Sequence, residues 1–158
     1  MDGHGAINDT ARALFAPLGG DYDRWAAILS FAQDPRWRRF LVEHVPVGPD
    51  ATVLDVATGT GLAAEAALIA VGAAGHVTAV DGTSEMLEQA RRRLAAYPNA
   101  TVESGSAENL TLPSEGFDSV ICCMALMIFS DRSSPVAGVR RALGDAWRLL
   151  STRHRTEH

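Results

Sequence analysis

Apolar residues from position 51 onward alternate between the continuous runs typical of buried strands and the spacing of about 3.6 residues typical of helices. The pattern predicts strands at 51 to about 57, 76–81, 101–103 and 117 to about 127, and helices at 62–71, from Thr83 or Ser84 to 97, and from Pro135 onward. Met86, Leu87, Ala90 and Leu94 share one face of the second helix. Strands that alternate with helices favour a parallel sheet covered on both faces. The predicted fold class is therefore α/β, with a three-layer sandwich architecture.

The first 50 residues predict a separate arrangement. Trp25, Ile28 and Leu29 recur at helical spacing, and Pro35 begins another helical pattern. We therefore divide the chain into an N-terminal helical segment at 1–50, a core at 51–150 and a frayed tail at 151–158.

Composition limits the classes of function. The 158 residues are 47% hydrophobic and 21% charged, which is typical of one globular domain. The net charge of −5 gives no support for nucleic-acid binding. The N-terminus has no signal-peptide pattern and no apolar run is long enough for a membrane span, so we expect a cytoplasmic protein.

Cys122 and Cys123 are adjacent, which disfavours a disulfide or a metal pair, and we predict no metal site.

Residues 53–61, VLDVATGTG, predict a buried strand that ends in a glycine turn and opens a helix. A glycine turn lets a ligand approach the backbone, and a helix N-terminus favours negative charge. This stretch therefore predicts a site for a nucleotide-like cofactor.

Two cofactors fit the turn. Gly59, Gly61 and Ala64 match G-x-G-x-x-A, and Asp81 lies 20 residues beyond Gly61, which is the spacing of a dinucleotide fingerprint. Asp55 distinguishes the alternatives, because a carboxylate beside the turn would repel a diphosphate and attract the ammonium group of a methionine moiety. A structural alternative is that Asp55 caps the turn backbone at the end of its strand.

The stretch 55–61 resembles motif I of the class I S-adenosylmethionine-dependent methyltransferases. Ala57 stands at the first glycine of the general motif, as in the ubiquinone/menaquinone biosynthesis C-methyltransferases (methyltransferase type 11). Residues 15–41, 79–91 and 106–122 are similar to further segments of that family, so the resemblance covers roughly 12–143. It implies a Rossmann-like, mostly parallel sheet and S-adenosylmethionine as the cofactor.

The resemblance also implies the site residues. Asp81 matches the acid that binds the cofactor ribose, Met86 a position beside the adenine, and Tyr22 an element that closes over the cofactor. Asp55 matches the acid of motif I, and Ala107 would offer its backbone N–H to adenine. The cofactor-binding set is Tyr22, Asp55, Ala57, Thr58, Gly59, Gly61, Asp81, Gly82, Met86, Ser106, Ala107 and Glu108. No residue stands out as a catalytic base.

Two features depart from the family. Ser106 stands where the family has an aspartate that accepts a hydrogen bond from adenine, so we expect weaker cofactor binding. The family's sheet order is 3-2-1-4-5-7-6, and the sequence after the last helix pattern offers nothing for strands five to seven. Truncation there would leave the apolar fourth strand at a sheet edge, which favours a homodimer through that edge.

These features predict a methyltransferase that acts on a small, quinone-like acceptor. The alternative is a catalytically inactive, truncated paralogue that binds the cofactor or serves as a partner subunit.

Overall fold

The computed structural model describes residues 47–106 and 116–123, together with Glu43. Its elements are β1 (Thr52–Val56), α1 (Leu62–Val71), β2 (His76–Asp81), α2 (Ser84–Leu94), β3 (Ala100–Ser104) and β4 (Ser119–Ile121). The four strands of this part of the chain form one parallel sheet in the order β3-β2-β1-β4. The α/β class and the parallel sheet are confirmed, and this order agrees with the first four places of the order that the resemblance implies.

The central strand β1 is buried on both of its faces. Val53 and Leu54 point to opposite sides of the sheet because neighbours on a strand alternate, and both are 0% exposed. Val53 belongs to the core cluster that includes Val77 of β2 and Leu68 of α1. Leu54 is buried on the other side, so the sheet is covered on both faces, as a three-layer arrangement requires.

Both described helices pack on the face of the sheet that Val53 occupies. The buried residues of α1 are mostly alanines, whose small side chains allow the helix to lie close to β1 and β2. α2 contacts β2, β3 and α1, and it buries Met86, Leu87, Ala90 and Leu94. The sequence predicted this apolar face of α2, and the structure confirms it.

The ends of α2 correct the predicted boundaries. The helix ends at Leu94 rather than at residue 97. After this end, the Tyr97 N–H donates to the Leu94 carbonyl at 3.0 Å. The residue before a proline avoids the helical conformation, so Pro98 accounts for the earlier end. At the start, Thr83 is the N-cap residue, but its side chain makes no capping hydrogen bond. β3 is one residue longer at each end than predicted.

Several predicted features lie outside the described residues. These are the N-terminal helices, the last helix, the tail, the fourth strand beyond Cys123, and the site residues Tyr22, Ala107 and Glu108. β4 is the last strand of the described sheet on its side. Pairing of two copies through β4 stays a prediction, which light scattering on the purified protein checks. The described helices include none with the length and apolar character of a membrane span.

Candidate functional site

The glycine turn, residues 57–61, lies where the order of the sheet changes direction. β1 pairs with β2 on one side and with β4 on the other. The chain proceeds from β1 to β2 and β3, and then crosses to the opposite side of β1 to form β4. Ligands of open α/β sheets bind outside the carboxyl ends of the strands at such a switch point. The turn follows the carboxyl end of β1, so it occupies the expected position for a ligand.

Three residues of the turn have left-handed backbone conformations. The φ angles are 55° at Ala57, 58° at Gly59 and 85° at Gly61. The Thr58 N–H donates to the Val80 carbonyl at 3.0 Å, which ties the turn to β2. Ala57 adopts its conformation without being glycine, at a cost of roughly 1–2 kcal/mol. The turn is therefore a defined backbone shape with strain at its first residue.

The two glycines of the turn serve different purposes. A Cβ atom at Gly59 would meet no atom of the described residues within 4 Å, so among these residues the side of the turn at Gly59 is open. A Cβ atom at Gly61 would lie 3.3 Å from both Cα and Cβ of Ala90 in α2. Gly59 therefore leaves room for a ligand, whereas Gly61 permits the close contact between the turn and α2.

The Asp81 carboxylate, at the carboxyl end of β2, contacts the turn directly. Its Oδ2 accepts a hydrogen bond from the Gly59 N–H at 2.9 Å, and its Oδ1 accepts one from the Thr83 N–H at 2.8 Å. A carboxylate oxygen has two lone pairs, so each oxygen retains capacity to accept another hydrogen bond. Asp81 therefore lies beside the open side of the turn and also holds the turn to the start of α2.

Asp55 lies inside the protein at the end of β1. Its side chain is 0% exposed, and its Oδ2 accepts a hydrogen bond from Thr58 Oγ1 at 2.6 Å. The bond ties the strand to the first part of the turn. This contact agrees with the structural alternative for Asp55, in which the aspartate caps the turn, although the bond comes from a side chain rather than from the backbone.

Arg93 is a site residue that the sequence analysis missed. Its Nε donates to the Thr60 carbonyl at 2.9 Å, and its Nη1 lies 3.4 Å from Glu65 Oε2. The side chain reaches from the last turn of α2 to the glycine turn and the first turn of α1. Nothing in the local sequence distinguishes Arg93 from Arg91 and Arg92, because the three fit equally well as basic residues at a helix C-terminus. Only the packing of α2 against the turn identifies it.

Comparison with known families decides the identity of the fold. A family described as "Methyltransferase domain" matches residues 53–146, which is more than half of the chain. The chain belongs to this methyltransferase domain family. The resemblance seen in the sequence is thereby confirmed.

Two curated relatives of this methyltransferase domain come from quinone biosynthesis. A demethylmenaquinone methyltransferase of Thermotoga maritima is 35% identical over 149 residues, covering 92% of this chain and 62% of the relative. A ubiquinone/menaquinone biosynthesis C-methyltransferase of Geotalea daltonii is 29% identical over 140 residues, covering 87% of this chain and 60% of the relative. The chain thus spans about three fifths of the length of these relatives.

A solved structure shows the same fold. It is a SAM-dependent methyltransferase from Aquifex aeolicus, which matches with a TM-score of 0.57 and 24% identity. The match covers 61% of this chain and 52% of the other. The Rossmann-like fold of the methyltransferase domain is therefore confirmed.

S-adenosylmethionine is the cofactor that membership of the methyltransferase domain family implies, and the turn has features that fit it. The side of the turn at Gly59 is open, and Asp81 beside it can accept hydrogen bonds from hydroxyl groups. Gly61, the N-cap residue of α1, makes no side-chain capping hydrogen bond, and such a helix N-terminus suits a carboxylate group. In the described part of the chain, no cluster of His, Cys, Asp or Glu could hold a metal ion.

The methyltransferase domain brings together most of the predicted site residues that the structure describes. Hydrogen bonds join Asp55 to Thr58 and Gly59 to Asp81, and Ala57 and Gly61 complete the same turn. The other three described residues lie on neighbouring segments of the chain: Gly82 follows β2 and is exposed, Met86 is buried in α2, and Ser106 is half-buried two residues after β3. Their contacts with a cofactor stay predictions.

Proposed function

We propose that the glycine turn binds S-adenosylmethionine and that the protein transfers its methyl group to a small, apolar, quinone-like acceptor. The observation that carries the proposal is the pairing of the Asp81 carboxylate with the Gly59 N–H at the open side of the turn. This pairing supports a site in which the ribose of the ligand bonds to Asp81 while the ligand lies close to the backbone at Gly59.

The proposed role of the described residues is to bind and orient. Asp81 accepts hydrogen bonds from the ribose hydroxyl groups, and Gly59 allows the ligand to lie against the backbone. Held by Asp81 and the glycine turn, the cofactor would supply an electrophilic methyl group for transfer to the acceptor. The chain contributes proximity and orientation to this transfer.

Asp55 favours S-adenosylmethionine over a dinucleotide. Its buried carboxylate lies at the end of β1, directly before the turn. Negative charge there would repel a diphosphate, whereas it would attract the ammonium group of the methionine moiety. We therefore expect the site to bind S-adenosylhomocysteine and not NAD.

The proposal of a quinone-like acceptor is based on the names of the curated relatives. Both curated relatives have names that place them in menaquinone or ubiquinone biosynthesis, and one of them is 35% identical to this chain. The methylated atom is expected to be a carbon, as the name C-methyltransferase indicates for one relative.

Thermal unfolding with S-adenosylhomocysteine tests the cofactor site. A ligand at about 100 times its Kd stabilises by about 2.7 kcal/mol, which corresponds to about 5–10 °C in Tm for a chain of this size. We expect this shift in the wild type, little or none with NAD, and its loss in Asp81→Ala.

Asp118→Ala is the matched control for Asp81→Ala. The Asp118 Oδ2 also accepts a backbone hydrogen bond, from the Thr52 N–H at 2.8 Å, but at the opposite end of β1. The control should keep the full ligand shift. An unchanged shift in Asp81→Ala, or a larger shift with NAD than with S-adenosylhomocysteine, would contradict the proposed site.

Methyl transfer itself is tested with radiolabelled S-adenosylmethionine and a short-chain demethylated naphthoquinone. We expect label in the quinone fraction and not in denatured protein. Cofactor binding without transfer to any quinone would favour the alternative, a cofactor-binding paralogue or partner subunit.

A further inference from the structure

Two side chains at opposite ends of α2 hold the glycine turn. Asp81, which precedes α2, accepts the Gly59 N–H, and Arg93, in the last turn of α2, donates to the Thr60 carbonyl. The helix also contacts the turn between these points, where Gly61 lies against Ala90. The turn is therefore held by α2 at two positions, Ala90 and Arg93, and by Asp81 at the carboxyl end of β2.

The peptide group that joins Thr60 to Gly61 is held from both sides. Its carbonyl accepts the hydrogen bond from Arg93 Nε at 2.9 Å, and its N–H donates to the Thr58 carbonyl at 3.1 Å. Glycine on either side of Thr60 makes rotation of such a peptide group easy unless other contacts prevent it. Arg93 supplies one of the contacts that prevent it.

The geometry of Arg93 differs from that of an ordinary surface ion pair. Its side chain and that of Glu65 are only 27% and 31% exposed, whereas the neighbouring pair Arg92–Glu88 is 68% and 62% exposed. Exposed pairs within a helix contribute little, because solvent screens them. A guanidinium group offers several donors in a fixed plane, so Arg93 can bond a carbonyl and a carboxylate together.

We propose that Arg93 is a positioning residue that fixes the Thr60–Gly61 peptide group and thereby sets the affinity of the turn for its cofactor. Arg93 acts through the backbone of the turn and does not contact the ligand. The effect on affinity rests on the proposed function, whereas the effect on the turn does not.

Two measurements test the proposal on the full chain. The first is the affinity for S-adenosylhomocysteine by isothermal titration in Arg93→Met, Arg93→Lys and the control Arg92→Met. We expect Arg93→Met to bind about tenfold more weakly, which corresponds to about 1.4 kcal/mol. Arg92→Met should bind as the wild type does. Lysine keeps the charge but not the planar set of donors, so Arg93→Lys should recover only part of the affinity.

The second measurement is amide hydrogen exchange at Gly61 in the protein without ligand. Arg93→Met should speed this exchange by about tenfold relative to Arg92→Met. Exchange at Val53 and Val77, in the core strands, should stay the same in both variants. This measurement tests whether Arg93 fixes the turn even if the wild type binds no S-adenosylhomocysteine. Failure of the wild type to bind would overturn the proposed function but not the positioning role.

Equal affinity in Arg93→Met and Arg92→Met, with a wild type that binds, would overturn the effect on affinity. Equal exchange at Gly61 in the two variants would overturn the positioning role itself. If Arg93→Met does not fold, Arg93→Lys against Arg92→Lys decides both points by the same criteria.

Discussion

Replacing each glycine of the turn by alanine should separate stability from cofactor affinity. The two substitutions add the same methyl group at positions two residues apart in the turn. In the described part of the chain, a Cβ atom at Gly59 would meet nothing within 4 Å, whereas one at Gly61 would meet α2. We expect Gly61→Ala mainly to destabilise the fold, and Gly59→Ala mainly to weaken binding.

The magnitudes follow from the local geometry. Both positions have positive φ, so alanine at either one costs roughly 1–2 kcal/mol in backbone strain. At Gly61 the new Cβ atom also lies 3.3 Å from Cα and Cβ of Ala90, and such overpacking costs about 1–3 kcal/mol more. We therefore expect Gly61→Ala to lower the free energy of unfolding by about 2–5 kcal/mol, and Gly59→Ala by about 1–2 kcal/mol.

Urea denaturation measures the loss of stability, and isothermal titration with S-adenosylhomocysteine measures the loss of affinity. The methyl group at Gly59 would occupy space on the ligand side, so we expect at least about a tenfold loss of affinity there, or about 1.4 kcal/mol. The reasoning is refuted if Gly59→Ala destabilises the fold as much as Gly61→Ala does. It is also refuted if Gly59→Ala binds as tightly as the wild type.

Two further substitutions test the turn and the adenine end of the site. Ala57→Gly should raise the free energy of unfolding by up to about 1 kcal/mol in urea denaturation, because relief of left-handed strain exceeds the added entropy of the unfolded chain. The same change at Ala66, inside α1, should lower that free energy by about 0.5–1 kcal/mol, and a loss at both positions would contradict the strain at Ala57. Ser106→Asp should tighten S-adenosylhomocysteine binding by about 1–2 kcal/mol in isothermal titration, whereas Ser104→Asp, which adds the same charge at an exposed position, should not.

Much of this fold could be predicted because its central strands are buried on both faces. β1 and β2 are mostly apolar in the sequence, and runs of that kind have few alternatives once glycine turns bound them. The apolar face of α2 could also be predicted, since its buried residues repeat at helical spacing: Met86, Leu87, Ala90 and Leu94. Asp81 could be placed at the carboxyl end of β2 because it is the last residue of that predicted strand.

The contacts across the site could not be predicted in the same way. The hydrogen bond from Arg93 to Thr60 joins residues 33 positions apart, and it depends on how α2 lies against the turn. The different roles of Gly59 and Gly61 also depend on that packing. Both residues are glycines with positive φ, so residue type and backbone conformation do not distinguish them. The bond from Thr58 to Asp55 is local in sequence, but it forms only because both side chains are buried.

Stability and cofactor affinity are coupled at some residues of this site and separable at others. Asp81 and Arg93 each bond the backbone of the turn, so a change at either residue alters the turn before any ligand arrives. A Cβ atom at Gly59 would meet no atom of the described residues within 4 Å, so the effect of a side chain there on affinity should be largely independent of stability. A site held in shape by the helix that follows β2 is set before the ligand binds, and a preset site loses less entropy on binding. The rigidity of α2 should therefore contribute to cofactor affinity although most of the helix does not face the turn.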